Sequence, residues 1–347
     1  MKYHSSIRFL TACMLPLIFS CQQPADTARQ TTESATPKTL GKIERLSPEL
    51  DKVLPADAQI EVLGEGYTWA EGPVWVGNGG YLLFTDVPEN KIYQWKEGAG
   101  VQVYLTHSGF TGEKTDSPEP GANGLALDAN GALIACQHGD RRVVRMTAPL
   151  DAPKPVFESL ADRWNNKRFN SPNDLCIDSK GNVYFTDPPY GLRKQTEDTL
   201  KEIPFQGVYR RNVDGKVDLL VDSLSRPNGI ALSPDEKTLY VAVSDPAKAL
   251  WMAYSIQPNG QLANGRVFYN ATSMVGETYK GLPDGLKVSK AGLLFATGPG
   301  GVWIFKPDGT ALGRVSPGVP TANCALDRDE KTLFLTSDMY LCRVRLK

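Results

Sequence analysis

A short motif recurs along the chain at intervals of about 50 residues, the last one shorter, and each copy stands just before a strand-like apolar run. It reads Gly281-Leu282-Pro283-Asp284-Gly285 in one copy, Arg226-Pro227-Asn228-Gly229 in another and Ser171-Pro172-Asn173-Asp174 in a third. Gly121-Ala122-Asn123-Gly124, Glu71-Gly72-Pro73 and Thr321-Ala322-Asn323-Cys324 complete the series. Six slots imply six repeats. Within a repeat the apolar runs are short and separated by turn residues. The second runs from Gly124 to Leu127, turns at Asp128-Ala129-Asn130-Gly131, continues over 132–137, breaks at 138–140 and resumes over 141–146. Four strands in roughly 40 to 50 residues, repeated, predict an all-β, six-bladed β-propeller with four-stranded antiparallel blades. The sixth unit has only three strands. The segment around 60–63 is therefore expected to supply the missing outer strand, so that an N-terminal strand closes the ring.

The 347 residues would suffice for two ordinary domains, but a closed repeat array uses such a length in one. A hydrophobic fraction of 41% is enough for a sizeable core. The 38 basic residues nearly balance 39 acidic ones, which disfavours nucleic acid as a partner. Ahead of the repeats, Lys2 and Arg8 precede an apolar stretch over 9–19 that ends in Ile18-Phe19-Ser20-Cys21, similar to a bacterial lipobox. Residues 1–21 are thus expected to be a lipoprotein signal with Cys21 as the lipidated residue; ordinary signal cleavage is the alternative. Residues 22–45 have too few large apolar side chains to order themselves and are expected to be a tether, with the propeller at 46–347. This arrangement predicts export, with membrane contact only through the lipid anchor, at the periplasmic side or the cell surface. Cys136, Cys176, Cys324 and Cys342 lie in apolar runs without metal-ligand spacing and are expected to be buried free thiols; only Cys324 and Cys342 are near enough in sequence to test as a pair.

In an antiparallel meander the start of the first strand and the ends of the second and fourth share one face. The long connections at 107–122, 160–172, 190–206 and 270–283 fall on that face, and function is expected there. Inner strands begin near the axis, so Glu71, Asn123, Asn173, Asn228, Asp284 and Asn323 should converge on one funnel. Two carboxylates with several carboxamides form an all-oxygen donor set, which suits a divalent metal: calcium best, with magnesium or zinc as alternatives. Glu71, Asn173, Asn228 and Asp284 are the expected ligands. Each motif taken singly is also an ordinary β-turn, and Asn123 and Asn323 also suit strand-start hydrogen bonds. His138, at a second-strand exit, is either a substrate contact or proton carrier, or a structural hydrogen-bond partner. Asp174 either orients Asn173 or acts in catalysis. No G-x-S-x-G, H-E-x-x-H, P-loop or G-x-G-x-x-G motif is present.

Taken together, Ala70-Glu71-Gly72-Pro73-Val74-Trp75, Phe169-Asn170-Ser171-Pro172-Asn173-Asp174, Tyr184-Phe185-Thr186-Asp187-Pro188-Pro189-Tyr190-Gly191, Arg226-Pro227-Asn228-Gly229-Ile230 and Pro283-Asp284-Gly285 make residues 60–347 resemble the senescence marker protein (regucalcin)/gluconolactonase/LRE-like family. The resemblance implies a six-bladed propeller with an axial divalent metal on Glu71, Asn173, Asn228 and Asp284, and hydrolysis of a small-molecule lactone. Asp284 would then be base or nucleophile, and Asn123, His138 and Tyr190 substrate contacts. The animal branch places Arg two residues before the third-slot Asn, where this chain has Ser171, so that branch's substrate contacts do not carry over. Another ester or a phosphotriester would suit the same metal site, and a non-catalytic propeller binding a glycan or a protein is the reading from a different class.

Overall fold

The computed structural model describes residues 37–347; the expected signal segment 1–21 with Cys21, and tether residues 22–36, lie outside the described residues. Among the described residues there is no α-helix, only short 3₁₀ turns, and no helix is long and apolar enough to cross a membrane. The strands form five four-stranded antiparallel sheets, one five-stranded sheet and a two-stranded ribbon. The inner strands, in chain order, are Ala70–Val76, Ala122–Leu127, Leu175–Ile177, Pro227–Leu232, Leu286–Val288 and Asn323–Leu326. Each touches the next, and the last touches the first, so the six blades close into a ring.

Burial explains the strand sequences. Second strands such as Tyr81–Asp86 and Val183–Asp187 are sandwiched between neighbouring blades and are buried at every position. Outer strands such as Gly100–Thr106 are largely exposed. The core is a series of inter-blade clusters, for example Trp251, Trp303 and Phe305 between the fourth and fifth blades. Turns between first and second strands follow local chemistry. Asp128 Oδ1 accepts from Asn130 N and Ala132 N at 2.9 Å, and Gly131 takes φ +79°; Asp178 and Gly181 repeat the device.

The predicted closure is present: Glu61–Glu65 pairs antiparallel with Tyr340–Arg345, with Val62 opposite Cys342, and Arg343 Nε donates to Glu61 Oε2 at 2.6 Å. The tether boundary is corrected. Residues 38–45, expected to be tether, are part of the propeller: Lys42–Arg45 adds a fifth strand to the fifth blade against Ala311–Ser316, and Val62 N donates to Lys38 O at 2.8 Å. Leu40 and Ile43, too sparse to order a segment alone, are enough once a preformed sheet edge supplies the hydrogen bonds. Between the two added strands, Ser47 caps the turn Pro48–Lys52, and Leu50 and Leu54 are driven completely into the cluster formed by the fifth and sixth blades. The four cysteines are free thiols; Cys136, Cys324 and Cys342 are buried and Cys176 half-buried.

Candidate active site

The slot motifs stand at the starts of the inner strands, but the glycines after them do not make turns. A Cβ on Gly72 would lie 1.9 Å from Asn123 O, one on Gly229 2.1 Å from Asp284 O, and one on Gly285 1.9 Å from Asn323 Cγ. Each glycine lets its blade approach the next one's slot residue. Second-strand threonines stitch the same seam: Thr85 Oγ1 donates to Asn123 O at 3.2 Å, Thr186 Oγ1 to Asn228 O at 2.7 Å and Thr297 Oγ1 to Ala322 O at 2.9 Å. Register shifts immediately after Glu71, Ala122 and Pro227 bulge three of the inner strands at the slot, which tips the slot side chains toward the axis.

Glu71, Asn123, Asn173, Asn228 and Asp284 thereby line one cavity of about 300 Å³. Its upper wall includes Trp69, Glu119, Tyr190, Arg226, Leu282 and Thr321. A larger opening of about 990 Å³ lies at the opposite face of the ring, lined by turn residues and by Lys287. None of its lining residues carries a buried polar atom lacking a partner. The floor of the smaller cavity does: Oδ1 of Asn123, Asn173, Asn228 and Asp284 are all buried without a hydrogen bond. Each such atom costs about 1–3 kcal/mol if left unsatisfied. Four together mark a place built for a group that the protein alone does not provide.

The electrostatics agree. Burial raises the Asp284 carboxyl well above its usual range, and Glu71, Asp174 and Glu119 raise it further. Burial also raises Glu71, and Asp174 adds to it, against hydrogen bonds from Gly72 N at 2.8 Å and Asn323 Nδ2 at 3.2 Å. Two buried carboxylates with three carboxamide oxygens suit a hard divalent cation, which would displace protons from the pair as it binds. Among the described residues no three His, Cys, Asp or Glu side chains gather for a metal; the donor set is completed by amides instead.

The expected ligands Glu71, Asn173, Asn228 and Asp284 are brought together, and Asn123 joins them with its own free oxygen. Asn323 takes the structural alternative, with Oδ1 accepting from Cys324 N at 2.9 Å and Nδ2 donating to Glu71. Tyr190 lines the cavity as expected. Its buried phenol is raised well above its ordinary value by desolvation, Ser244 lies near enough to moderate the rise, and the hydroxyl has no aligned partner. Asp174 is outside the cavity and stands where four of the other five slots have glycine. Its Oδ1 accepts from Leu175 N at 2.9 Å, and Oδ2 lies 3.9 Å from Lys287 Nζ. His138 is also displaced from its expected role as a substrate contact: it is fully buried, does not line the cavity and lies behind Asn173. Arg141, at φ 58°, closes the turn after it, with Arg141 N donating to His138 O at 3.2 Å.

The walls hold residues the sequence reading passed over. Trp69, Arg226, Leu282 and Thr321 each stand two positions before a slot residue, the same side of an extended segment one step nearer solvent. That period-two offset is the signal that could have found them. At the third slot the same position is Ser171, which is buried, donating to Pro188 O at 2.6 Å and accepting from Gly191 N at 2.9 Å.

A closed six-bladed ring with an axial nest of oxygen donors beneath long loops defines a propeller with a polar, ligand-seeking centre. Residues 69–339 match the SMP-30/Gluconolactonase/LRE-like region, and the chain belongs to that family. It is 42% identical to a gluconolactonase of Zymomonas mobilis over 314 residues, covering 89% of this chain and 87% of that protein. A solved gluconolactonase from Xanthomonas campestris superposes with a TM-score of 0.75 at 30% identity, covering 90% of this chain and 97% of the other. A calcium-binding regucalcin from Agrobacterium tumefaciens shares the fold, with a TM-score of 0.63 at 18% identity over 82% of this chain and 94% of its own.

Proposed function

We propose that this protein hydrolyses the ester bond of a sugar lactone in the axial cavity, with a divalent cation, calcium by preference, held by Glu71, Asn173, Asn228 and Asp284. The observation that carries the reading is that the buried, unpartnered Oδ1 atoms of Asn173, Asn228 and Asp284 line one cavity with the Glu71 carboxylate, the free Oδ1 of Asn123 beside them. The two similar gluconolactonases support the substrate class, and the calcium-binding regucalcin supports the cation. When bound, the cation supplies Lewis-acid polarisation of the lactone carbonyl and stabilises charge on its oxygen. The Asp284 carboxylate, one oxygen of which faces the cation, takes a proton on its other oxygen from the water that attacks the carbonyl carbon. As the ring C–O bond breaks, the same carboxyl returns that proton to the departing ring oxygen, leaving an open hydroxy acid. Asn123 Oδ1 and Glu119 accept hydrogen bonds from sugar hydroxyls, Tyr190 and Arg226 donate them, and Trp69 and Leu282 keep bulk water from the bound ring. We propose further that the protein is exported and held at a membrane through lipidated Cys21; retention in the soluble fraction, with no shift on Cys21→Ser, would refute this.

The direct test is hydrolysis of glucono-1,5-lactone by the full chain, corrected for spontaneous ring opening, before and after chelation and again with calcium restored. Activity should disappear with the chelator, return with calcium, and fall by at least about 10²-fold in Asp284→Asn. A folded, calcium-loaded chain inert toward a panel of sugar lactones would overturn the assignment and leave another ester, a phosphotriester or a glycan as the ligand to find.

A further inference from the structure

A carboxamide has one end that ligates a cation and one that repels it. Rotation by half a turn exchanges the oxygen and the nitrogen at almost no steric cost, so a ligand Asn needs something to decide which faces the ion. Among the described residues, Asn173 is the one floor carboxamide whose nitrogen another side chain holds: its Nδ2 lies 3.4 Å from His138 Nε2. The imidazole is locked in place. It is fully buried, its backbone N donates to Gly121 O at 3.2 Å, and Gly191 packs so closely that a Cβ there would come within 2.8 Å of His138 Cβ.

For Nε2 to accept from Asn173, the ring proton must be on Nδ1. The other side of the ring supplies the reason. Glu119 Oε2 lies 3.4 Å from His138 Nδ1, within electrostatic reach though not aligned for a full hydrogen bond. A carboxylate at that distance attracts an N–H and repels a lone pair, so it selects the tautomer with the proton on Nδ1. The Nε2 lone pair then turns toward Asn173, draws its NH₂ group outward and leaves Oδ1 facing the cavity, where it is buried and unpartnered.

We propose that Glu119 and His138 form an orientation lock that makes Asn173 present its oxygen, not its nitrogen, to the cation. The inference rests on the metal reading above. It makes His138 a positioning residue that touches neither substrate nor ion, and it gives Glu119, which also lines the cavity, a second task. Outer partners of this kind alter metal affinity by about 10- to 100-fold.

The test is calorimetric titration of the full chain with calcium, in a double-mutant cycle. His138→Leu should weaken calcium binding by about 10- to 100-fold. His138→Gln, whose Oε1 accepts where Nε2 did, should recover most of that loss. In an Asn173→Asp background both ends of the side chain are oxygen and no orientation remains to be chosen. There, adding His138→Leu should change affinity by no more than about twofold. An equal loss in both backgrounds would show that His138 only fills space, and calcium binding untouched by His138→Leu would overturn the lock outright. Failure of the unsubstituted chain to bind calcium would overturn the metal reading and the lock together, an outcome recognisable because no variant would then differ from it.

Discussion

Gly229 offers the sharpest test of how the site is assembled. Its φ lies outside the left-handed region, so alanine would bring no backbone strain; the whole effect is steric. The added Cβ would sit 2.1 Å from Asp284 O, 2.8 Å from Gly285 Cα and 2.9 Å from Asp284 C, all backbone atoms of the next blade. Ordinary contact requires that the fourth and fifth blades part by more than about 1 Å at this point. Overpacking of this kind costs about 1–3 kcal/mol, offset by about 0.4–1 kcal/mol from the stiffer unfolded chain. For a chain of this size the net cost of up to about 2.6 kcal/mol should shift thermal unfolding down by up to about 10 °C. The larger consequence is local, because the parted residues carry Asn228 and Asp284. Calcium affinity should fall by about 10- to 100-fold. Differential scanning calorimetry and calcium titration read the two effects, with Gly77→Ala as control, since a Cβ there meets only the Arg328 side chain at 3.5 Å. If Gly229→Ala matched the control in both measurements, the argument that these glycines set the spacing of the donors would be wrong.

Leu50→Ala should leave lactone turnover unchanged while lowering stability by about 2–5 kcal/mol in denaturant unfolding, because Leu50 fills the seam between the fifth and sixth blades and does not line the cavity. Asp187 gives a pH signature. Burial raises its carboxyl to about 7, against hydrogen bonds from Asn170 N and Ser171 N at 2.8 Å and the nearby Arg141. Its folded value thus exceeds the unfolded one of about 4. The stability it contributes is complete below pH about 4 and is lost as pH rises through about 7, at up to about 1.4 kcal/mol per pH unit. The stability difference between the protein and Asp187→Asn should therefore change across that window in urea titrations; parallel profiles would remove Asp187 as the cause.

The ring and its polar centre were legible because a propeller repeats one constraint: each inner strand starts at the axis, so Glu71, Asn123, Asn173, Asn228 and Asp284 recur in register. What stayed hidden depends on side-chain direction or on a partner supplied from elsewhere. His138 follows the second strand Leu133–Gln137, as its sequence position implies, but whether its ring faces the cavity or the back of Asn173 depends on side-chain direction, which local composition does not reveal. Lys42–Arg45 looks like linker because its apolar content is too low to fold alone; the edge that orders it is contributed by Ala311–Ser316. The glycines after the slots read as turn residues, since Asn-Gly and Asp-Gly favour turns, and only the packed ring shows that they are needed for inter-blade approach.

The closing strand also orders events in time. Glu61–Glu65 is made long before its partner Tyr340–Arg345, since Glu61 and Arg343 are 282 positions apart. The ring cannot shut before that partner strand is made. Until Tyr340–Arg345 arrives, the sixth blade lacks the strand that joins its inner pair to Glu61–Glu65, and Leu50 and Leu54 lack Cys342 and Val344 from the cluster that buries them. Assembly of the binding centre is therefore tied to synthesis of Tyr340–Arg345, and a product truncated before that strand is left with an open sheet edge and an unclosed ring.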